Sequence, residues 1–385
     1  MFSKDIINKF REQETPFYYY DLDLLRKTLD EVKKHGIDNG FHIHYALKSN
    51  FDDAVLRVIK EYGLGIDAVS GNEIQKAIDV GFNGSQIAFA GVGKSDAEIN
   101  LALDHDIFAF NCESPHELQI INELAVAKGK TAQVALRINP NVDPKTHKYI
   151  TTGLSDNKFG INPWDLKDIF QKLPEYQNVN VMGAHFHIGS QITDIGRYQL
   201  LCDKLKDLLQ LFDDQGIKLT HVNVGGGLGI DYENPLDNPI PPFKEYFETF
   251  KNNVQLKEGQ ELHFELGRSI TGQCGTLITK VLYLKPASKT NFAIVDGGMT
   301  ELIRPMLYQA HHEIKNLTST GENKTYDVVG PICESTDSFA KGLTLPECKR
   351  GDLIAIRSAG AYGQVMSSRY NLRDLARAVN SDELQ

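Results

Sequence analysis

Residues 41–50 read FHIHYALKSN. An apolar run that includes Tyr45, Ala46 and Leu47 stops abruptly at Lys48, Ser49 and Asn50. The pattern predicts a short strand over residues 42–48 with its polar residues at the carboxyl end. A lysine there is poorly placed for solvation. Burying an ammonium costs free energy unless it is paired or neutralised, and burial lowers its pKa. A neutral amine can form an imine with an aldehyde. The plainer alternative is a lysine that leaves the strand with its head in water, since lysine is rarely buried.

The same theme recurs along the chain. The strand candidates are HIHYALK (42–48), GIDAVS (65–70), QIAFAG (86–91), IFAFNC (107–112), QVALRIN (133–139), VMGAHFHIG (181–189), HVNVGGG (221–227) and LHFELG (262–267). Between them lie helical patterns such as NEIQKAIDVG and SPHELQIINELAVAKG, several of which end in glycine, a frequent helix terminator. Continuous apolar strands alternating with helices imply a parallel sheet covered on its outer face. Eight such units predict an α/β fold, a closed (β/α)8 TIM-like barrel over residues 21–272. The absence of GxGxxG after the first strand weakens the rival doubly wound sheet. Two connections run long, 140–180 and 228–260, and long loops in compact domains usually carry function. From residue 273 the pattern becomes strand after strand: CGTLITKVLYLKP, NFAIVDGG, KTYDVVGPI, GDLIAIRSAG and YGQVMSS. This predicts a second, mainly-β domain over 273–385, joined by the N-terminal residues 1–20 through PFYYYD.

Bulk properties narrow the function. With 385 residues, 41% hydrophobic and 24% charged, the chain has an ordinary globular composition and room for two domains. A net charge of −10 argues against nucleic-acid and anionic-membrane partners. No apolar run approaches the ~20 residues that span a bilayer. MFSKDIINKF lacks the apolar core of a signal peptide. Five scattered cysteines without a CxxC pair predict reduced thiols and a cytoplasmic location rather than a disulfide framework or a zinc site.

Barrel enzymes place their chemistry at the carboxyl ends of the strands. Those ends deliver Lys48, Ser49 and Asn50; Asp67, Ser70 and Glu73; Arg137 and Asn139; His185, His187, Gly189 and Ser190; Gly225, Gly226, Gly227 and Gly229; and Glu265, Gly267 and Arg268. VNVGGGLGID follows the seventh strand, where barrels often bind phosphate. Its glycines let backbone N–H groups approach an anion, with Arg268 one strand away as a forked cation. Glu265, inside an apolar run, needs a cationic partner: Arg268, or a protonated ring nitrogen on a bound cofactor, where it would sustain an electron sink. His185 and His187 could together bind zinc, but no third ligand is evident, so no metal is expected. In the second domain, Cys333 offers a thiol that is mostly protonated at neutral pH and able to donate a proton. A small buried hydrophobe is the alternative. Arg304 and Tyr308 share a face if IRPMLY is helical. Tyr362 lies among small residues in SAGAYG.

HYALKSN, DAVSGNEI, FAGVGK, RINPNVD…H…TTG…KFGI, HFHIGSQ, NVGGGLGIDY, FELGRS, IRPMLY, VGPICESTD and SAGAYG occur in this order over nearly the whole chain. Taken together they resemble the fold-type III pyridoxal-phosphate decarboxylases, and among them the branch acting on diaminopimelate. The resemblance implies pyridoxal 5'-phosphate held covalently by Lys48, with His187 stacked on its ring and Glu265 at its nitrogen. It implies a phosphate held by Ser190 and the loop of Gly225, Gly226 and Gly227, helped by Arg268, with Gly267 and Tyr362 also binding the cofactor. It implies substrate contacts from Arg268, Arg304, Tyr308, Glu334 and Tyr362. Cys333 would be the proton donor, reaching in from the second chain of a homodimer. Leu266 stands where the family usually has proline, and Thr336 where it usually has glycine. Neither change removes a functional group.

The expected reaction is decarboxylation of meso-2,6-diaminopimelate to L-lysine and carbon dioxide, the last step of lysine biosynthesis. Arg304 suits a distal carboxylate that ornithine lacks. Decarboxylases of other basic amino acids or of carboxynorspermidine are the first rivals. An alanine-racemase-like enzyme is disfavoured by Glu265, where that group usually places arginine. A catalytically silent cofactor-binding protein is disfavoured by the presence of both Lys48 and Cys333.

Overall fold

The structure, a computed structural model, describes residues 2–143, 158–288 and 290–384. The part of the resemblance carried by His147 and Thr151–Gly153 lies outside the described residues. The chain divides into two compact units. One consists of the described residues of Thr28–Gly229 and Pro242–Gly267. The other consists of those up to Lys27, Ile230–Pro241 and those from Arg268 onward.

In the first unit eight parallel strands close into the predicted (β/α)8 barrel: His42–Ala46, Gly65–Ala68, Ile87–Phe89, Ala109–Cys112, Ala132–Arg137, Val179–His185, His221–Asn223 and Glu261–Leu266. The eighth strand pairs with the first in the register His42 to His263 and His44 to Glu265, which seals the cylinder. The helices that cover it start where a side chain meets their orphan N–H groups. Asp52 accepts from Ala54 and Val55, and Ser70, Ser95 and Ser114 each accept from the N–H three residues on. Gly81 and Gly129 end two of them at φ +94° and +63°.

Strand periodicity positions the site. In Glu261–Leu266 alternate residues face opposite ways. Phe264 points outward, with ring centroids 5.0–5.7 Å from Tyr246, Phe247 and Phe250 of the helix Phe243–Asn253. His263 and Glu265 point inward, onto His44 and His185. Truncating Phe264 to alanine removes one of the largest contacts between barrel and shell, a loss of about 3–5 kcal/mol.

Most of the strands stop short of the polar end of their apolar runs, whereas the fourth begins late, at Ala109, and keeps its end at Cys112. His42–Ala46 stops two residues before Lys48, and Leu47–Ser49 form a single 3-10 turn. That turn lifts Lys48 off the barrel wall, leaving its side chain 36% exposed instead of buried in a strand. The seventh strand stops at Asn223, because Gly225 and Gly227 take φ +70° and +101°, conformations no ladder accommodates. His187 lies beyond the end of the sixth strand rather than on it.

The second unit is built on an eight-stranded sheet in the order Ile314–Asn316, Leu353–Ile356, Gly275–Pro286, Asn291–Val295, Asn323–Val329, Ser338–Pro346. Phe17–Tyr20 adds antiparallel to Gly275–Pro286 and parallel to Arg377–Asn380. Its core gathers Phe10, Phe17, Tyr19, Ile278, Leu353 and Val379. YGQVMSS, expected to be a strand, is instead a turn followed by a 3-10 segment, Gln364–Met366, because Tyr362 is left-handed at φ +56°. Ser338–Pro346 went unrecognised as a strand; it contains Gly342 at φ +63° and shows a weak apolar pattern.

Candidate active site

The carboxyl mouth of the barrel collects the predicted groups of the first unit. The Lys48 Nζ donates to Asp67 Oδ2 at 2.8 Å, and Asp67 is fully buried. Burial and the nearby Glu265 charge raise the Asp67 carboxyl above its usual range, while Lys48 pulls the other way. Gly267 sits against the same turn. A Cβ there would meet Ala46 Cβ and Ser49 Cβ at 3.1 Å.

Glu265 is buried and fully anchored. Its Oε1 accepts from Asn111 Nδ2 at 2.9 Å and from Asn223 Nδ2 at 2.8 Å, and its Oε2 accepts from His185 Nε2 at 2.9 Å. Burial alone would push this carboxyl up. His185 through charge and hydrogen bond, with Lys48 nearby, outweighs that and holds it well below the usual carboxylate range. Among the described residues its hydrogen-bond partners are Asn111, Asn223 and His185. The barrel thus keeps an anion at its centre, oriented by three donors.

The glycine loop is threaded through the same mouth. Asn223 also accepts the Gly225 N–H at 2.8 Å, so one amide side chain fixes both the acid and the loop. Gly226 N–H donates to His187 Nδ1 at 3.3 Å. A Cβ on Gly226 would run into the Glu265 carbonyl, and one on Gly225 into the Phe186 carbonyl. The loop that carries Ser190 is tied to the glycines through Ile192, whose N–H donates to the Gly227 carbonyl at 2.8 Å. His187 is kept neutral by its desolvated setting and by the Arg137 and Lys48 charges, so its ring is a flat, uncharged face. Arg137 itself is buried and paired to Glu113 at 2.7 Å.

These groups fit an aldehyde cofactor with a protonated ring nitrogen and an anionic tail. An amine, a buried anion, a neutral flat ring and a loop stripped of side chains share one chamber of the barrel. Each is chemically matched to one part of such a molecule.

The second unit brings together most of its own predicted residues. The Arg268 guanidinium lies 4.7 Å over the Tyr362 ring and donates to Tyr232 Oη at 2.6 Å. Arg304 lies 5.3 Å over Tyr232 and 5.7 Å over Tyr308, on the short helix Arg304–Tyr308. Burial and the adjacent Arg268 charge lower the Arg304 pKa. Two guanidiniums thus converge on the Tyr232 side chain. Cys333 and Glu334 are exposed and hold other partners: Cys333 N–H donates to Asn371, and Glu334 accepts from Tyr370 Oη at 2.7 Å. Asn111, Asn223 and Tyr232 were not singled out by sequence reasoning. A buried amide at the end of an apolar strand was the available signal for the first two.

The sequence profile of the family described as "Pyridoxal-dependent decarboxylase, pyridoxal binding domain" matches residues 23–272. A diaminopimelate decarboxylase of Bacteroides thetaiotaomicron is 53% identical over 382 residues, covering 98% of each chain. One from Aquifex aeolicus is 39% identical over 367 residues, covering 95% of this chain and 86% of its own. The crystal structure of diaminopimelate decarboxylase from Helicobacter pylori complexed with L-lysine superposes with a TM-score of 0.91 at 38% identity, covering 97% of this chain and 94% of that one.

Proposed function

The chain belongs to the fold-type III pyridoxal-dependent decarboxylases, and from that premise we propose that it converts meso-2,6-diaminopimelate to L-lysine and carbon dioxide. The observation that carries the reaction type is the Glu265 carboxylate, buried yet held anionic by Asn111, Asn223 and His185. An anion so fixed would favour a proton on the ring nitrogen of a cofactor held there. Bound pyridoxal 5'-phosphate supplies the electron sink for the pair left behind when the α-carboxylate departs.

The chain's own residues do the rest. Lys48 would hold the cofactor through its Nζ, which Asp67 orients by accepting from it at 2.8 Å. His187 presents its neutral face to the ring. Ser190 and the loop of Gly225, Gly226 and Gly227 would hold the phosphate, helped by Arg268, with Gly267 and Tyr362 also at the cofactor. Arg304, with Arg268, Tyr308, Tyr362 and Glu334, binds the substrate. A second guanidinium favours a ligand with two carboxylates over ornithine, which has one.

Cys333 delivers the proton to the α-carbon from the second copy of a homodimer. Two observations support that placement. Cys333 is exposed in its own chain, and Tyr370, Leu372 and Leu375, in the segment whose Asn371 accepts from the Cys333 N–H, are exposed apolar residues close together in sequence. The five free thiols support a reducing, cytoplasmic setting. No helix among the described residues is long and apolar enough to cross a membrane.

The test is incubation of the cofactor-loaded enzyme with meso-diaminopimelate, ornithine, arginine and carboxynorspermidine, following carbon dioxide and amine products. Lysine formed fastest from diaminopimelate is expected. A preference for ornithine or arginine refutes the assignment.

A further inference from the structure

The opposite mouth of the barrel, where the strands begin, carries a second cluster that decarboxylation does not use. His42 and His44 open the first strand, and Glu261 and His263 open the eighth. A cavity of about 350 Å³ lies there, lined by these four with Phe41, Gln86 and Phe108 among others. His42 Nε2 lies 3.5 Å from Glu261 Oε2, and His263 Nε2 lies 3.5 Å from the same oxygen. One ligand atom from each of the three falls within 4.8 Å of the others.

Two features separate this cluster from a chance surface group. His263 is buried, yet its Nε2 has no hydrogen-bond partner among the described residues, although it faces the cluster. Its other nitrogen, Nδ1, is held at 3.0 Å by His44 Nε2. With the Nδ1 proton given to His44, the Nε2 of His263 carries a lone pair. This is the arrangement by which an outer partner fixes the tautomer of a metal-binding imidazole. His42 stacks on the His263 ring, centroids 4.6 Å apart at 16°, and both it and Glu261 are about half-exposed, so the His42 ring would swing out of the stack to share an ion with His263. The 3.5 Å separations are close to the roughly 3.3 Å edge of a tetrahedron with ~2.0–2.1 Å metal–ligand bonds.

We propose that His42, Glu261 and His263 form a binding site for a divalent first-row transition cation of the zinc class, with solvent in the remaining position. Two imidazoles and a carboxylate suit Zn2+, Co2+ or Ni2+ and not Ca2+ or Mg2+, which require more oxygen ligands. The ligands come from strands one and eight, whose pairing closes the barrel, so the ion would clasp the seam. Only the closed barrel assembles the set, and binding therefore raises resistance to unfolding in proportion to occupancy. The site uses no group assigned to the cofactor or substrate, so it stands or falls independently of the proposed reaction.

The test titrates chelator-free holoenzyme with Co2+ or Zn2+, against a chromophoric competitor. The same titration is run on His42→Ala and Glu261→Gln, both at solvent-exposed positions that tolerate change if His263→Asn fails to fold. One ion per chain is expected, with a Co2+ visible band and a rise in melting midpoint. Each variant should lose at least about tenfold in affinity while keeping decarboxylase turnover. Equal binding by wild type and the two variants, or no binding by the wild type, overturns the proposal.

Discussion

Asn223→Leu tests whether one buried amide organises the catalytic mouth. The side chain makes two hydrogen bonds there, donating to Glu265 Oε1 and accepting from Gly225 N–H, both at 2.8 Å. The first goes to a charge and is worth about 1.5–3 kcal/mol. Losing the second strands a buried N–H, at a further cost of about 1–3 kcal/mol. Leucine fills the space without meeting either need, so the variant should be about 3–5 kcal/mol less stable. Asn111→Leu is the control. It also removes one bond to Glu265 Oε1, but its own Oδ1 is buried without a partner among the described residues, so the substitution removes an unmet group as well. Its cost should be about 1–2 kcal/mol. Urea unfolding by circular dichroism at neutral pH measures both. The pH dependence has a definite sign. Glu265 is depressed in the native state. Its contribution is therefore complete above the ordinary glutamate pKa of about 4.3 and is lost as pH falls through the lower native value. The gap between wild type and Asn223→Leu should be widest at neutral pH and narrow only in acid. Equal costs for the two variants, or a gap that widens on acidification, would refute the reasoning.

Lys48→Ala should abolish turnover and the visible absorbance of bound cofactor, as read by spectrum and product assay. Cys333→Ala should also be nearly inactive. Mixing it with Lys48→Ala and allowing subunit exchange should restore about a quarter of the sites if each is shared across a twofold dimer; no recovery would place the thiol elsewhere. Arg304→Gln should lower kcat/KM for diaminopimelate by about 10–100-fold with a smaller effect on ornithine, measured in a substrate panel. Gly226→Ala, whose Cβ meets the Glu265 carbonyl, should lose cofactor affinity. Gly259→Ala, with nothing within 4 Å but φ +81°, should lose only about 1 kcal/mol of stability by thermal melt.

Eight strands were readable because parallel strands buried on both faces are apolar throughout, a signal that survives without any partner in view. Their ends were not, because the polar residues that terminate each run belong to turns whose dihedral angles depend on tertiary contacts. Lys48 in a 3-10 turn and Asn223 as the last paired residue of its strand are the two cases that matter for chemistry. The motif residues of the site could be placed from order and spacing. The donors behind them could not. Asn111 and Asn223 meet Glu265 only because strands four, seven and eight curve round to face one axis. Tyr232 sits in a long connection, and its partnership with Arg268 has no periodicity to announce it.

The strand Glu261–Leu266 sets a hard limit on how this barrel can be altered. His263 and Glu265 reach the axis, and Phe264 meets the helical coat. Deleting or inserting a single amino acid within it would shift its frame against the neighbouring strands. Phe264 would then be driven inside and the acid carried out among aromatic rings. Catalysis and the clasp at the far mouth would vanish together, so the segment should tolerate substitution far better than any change in length.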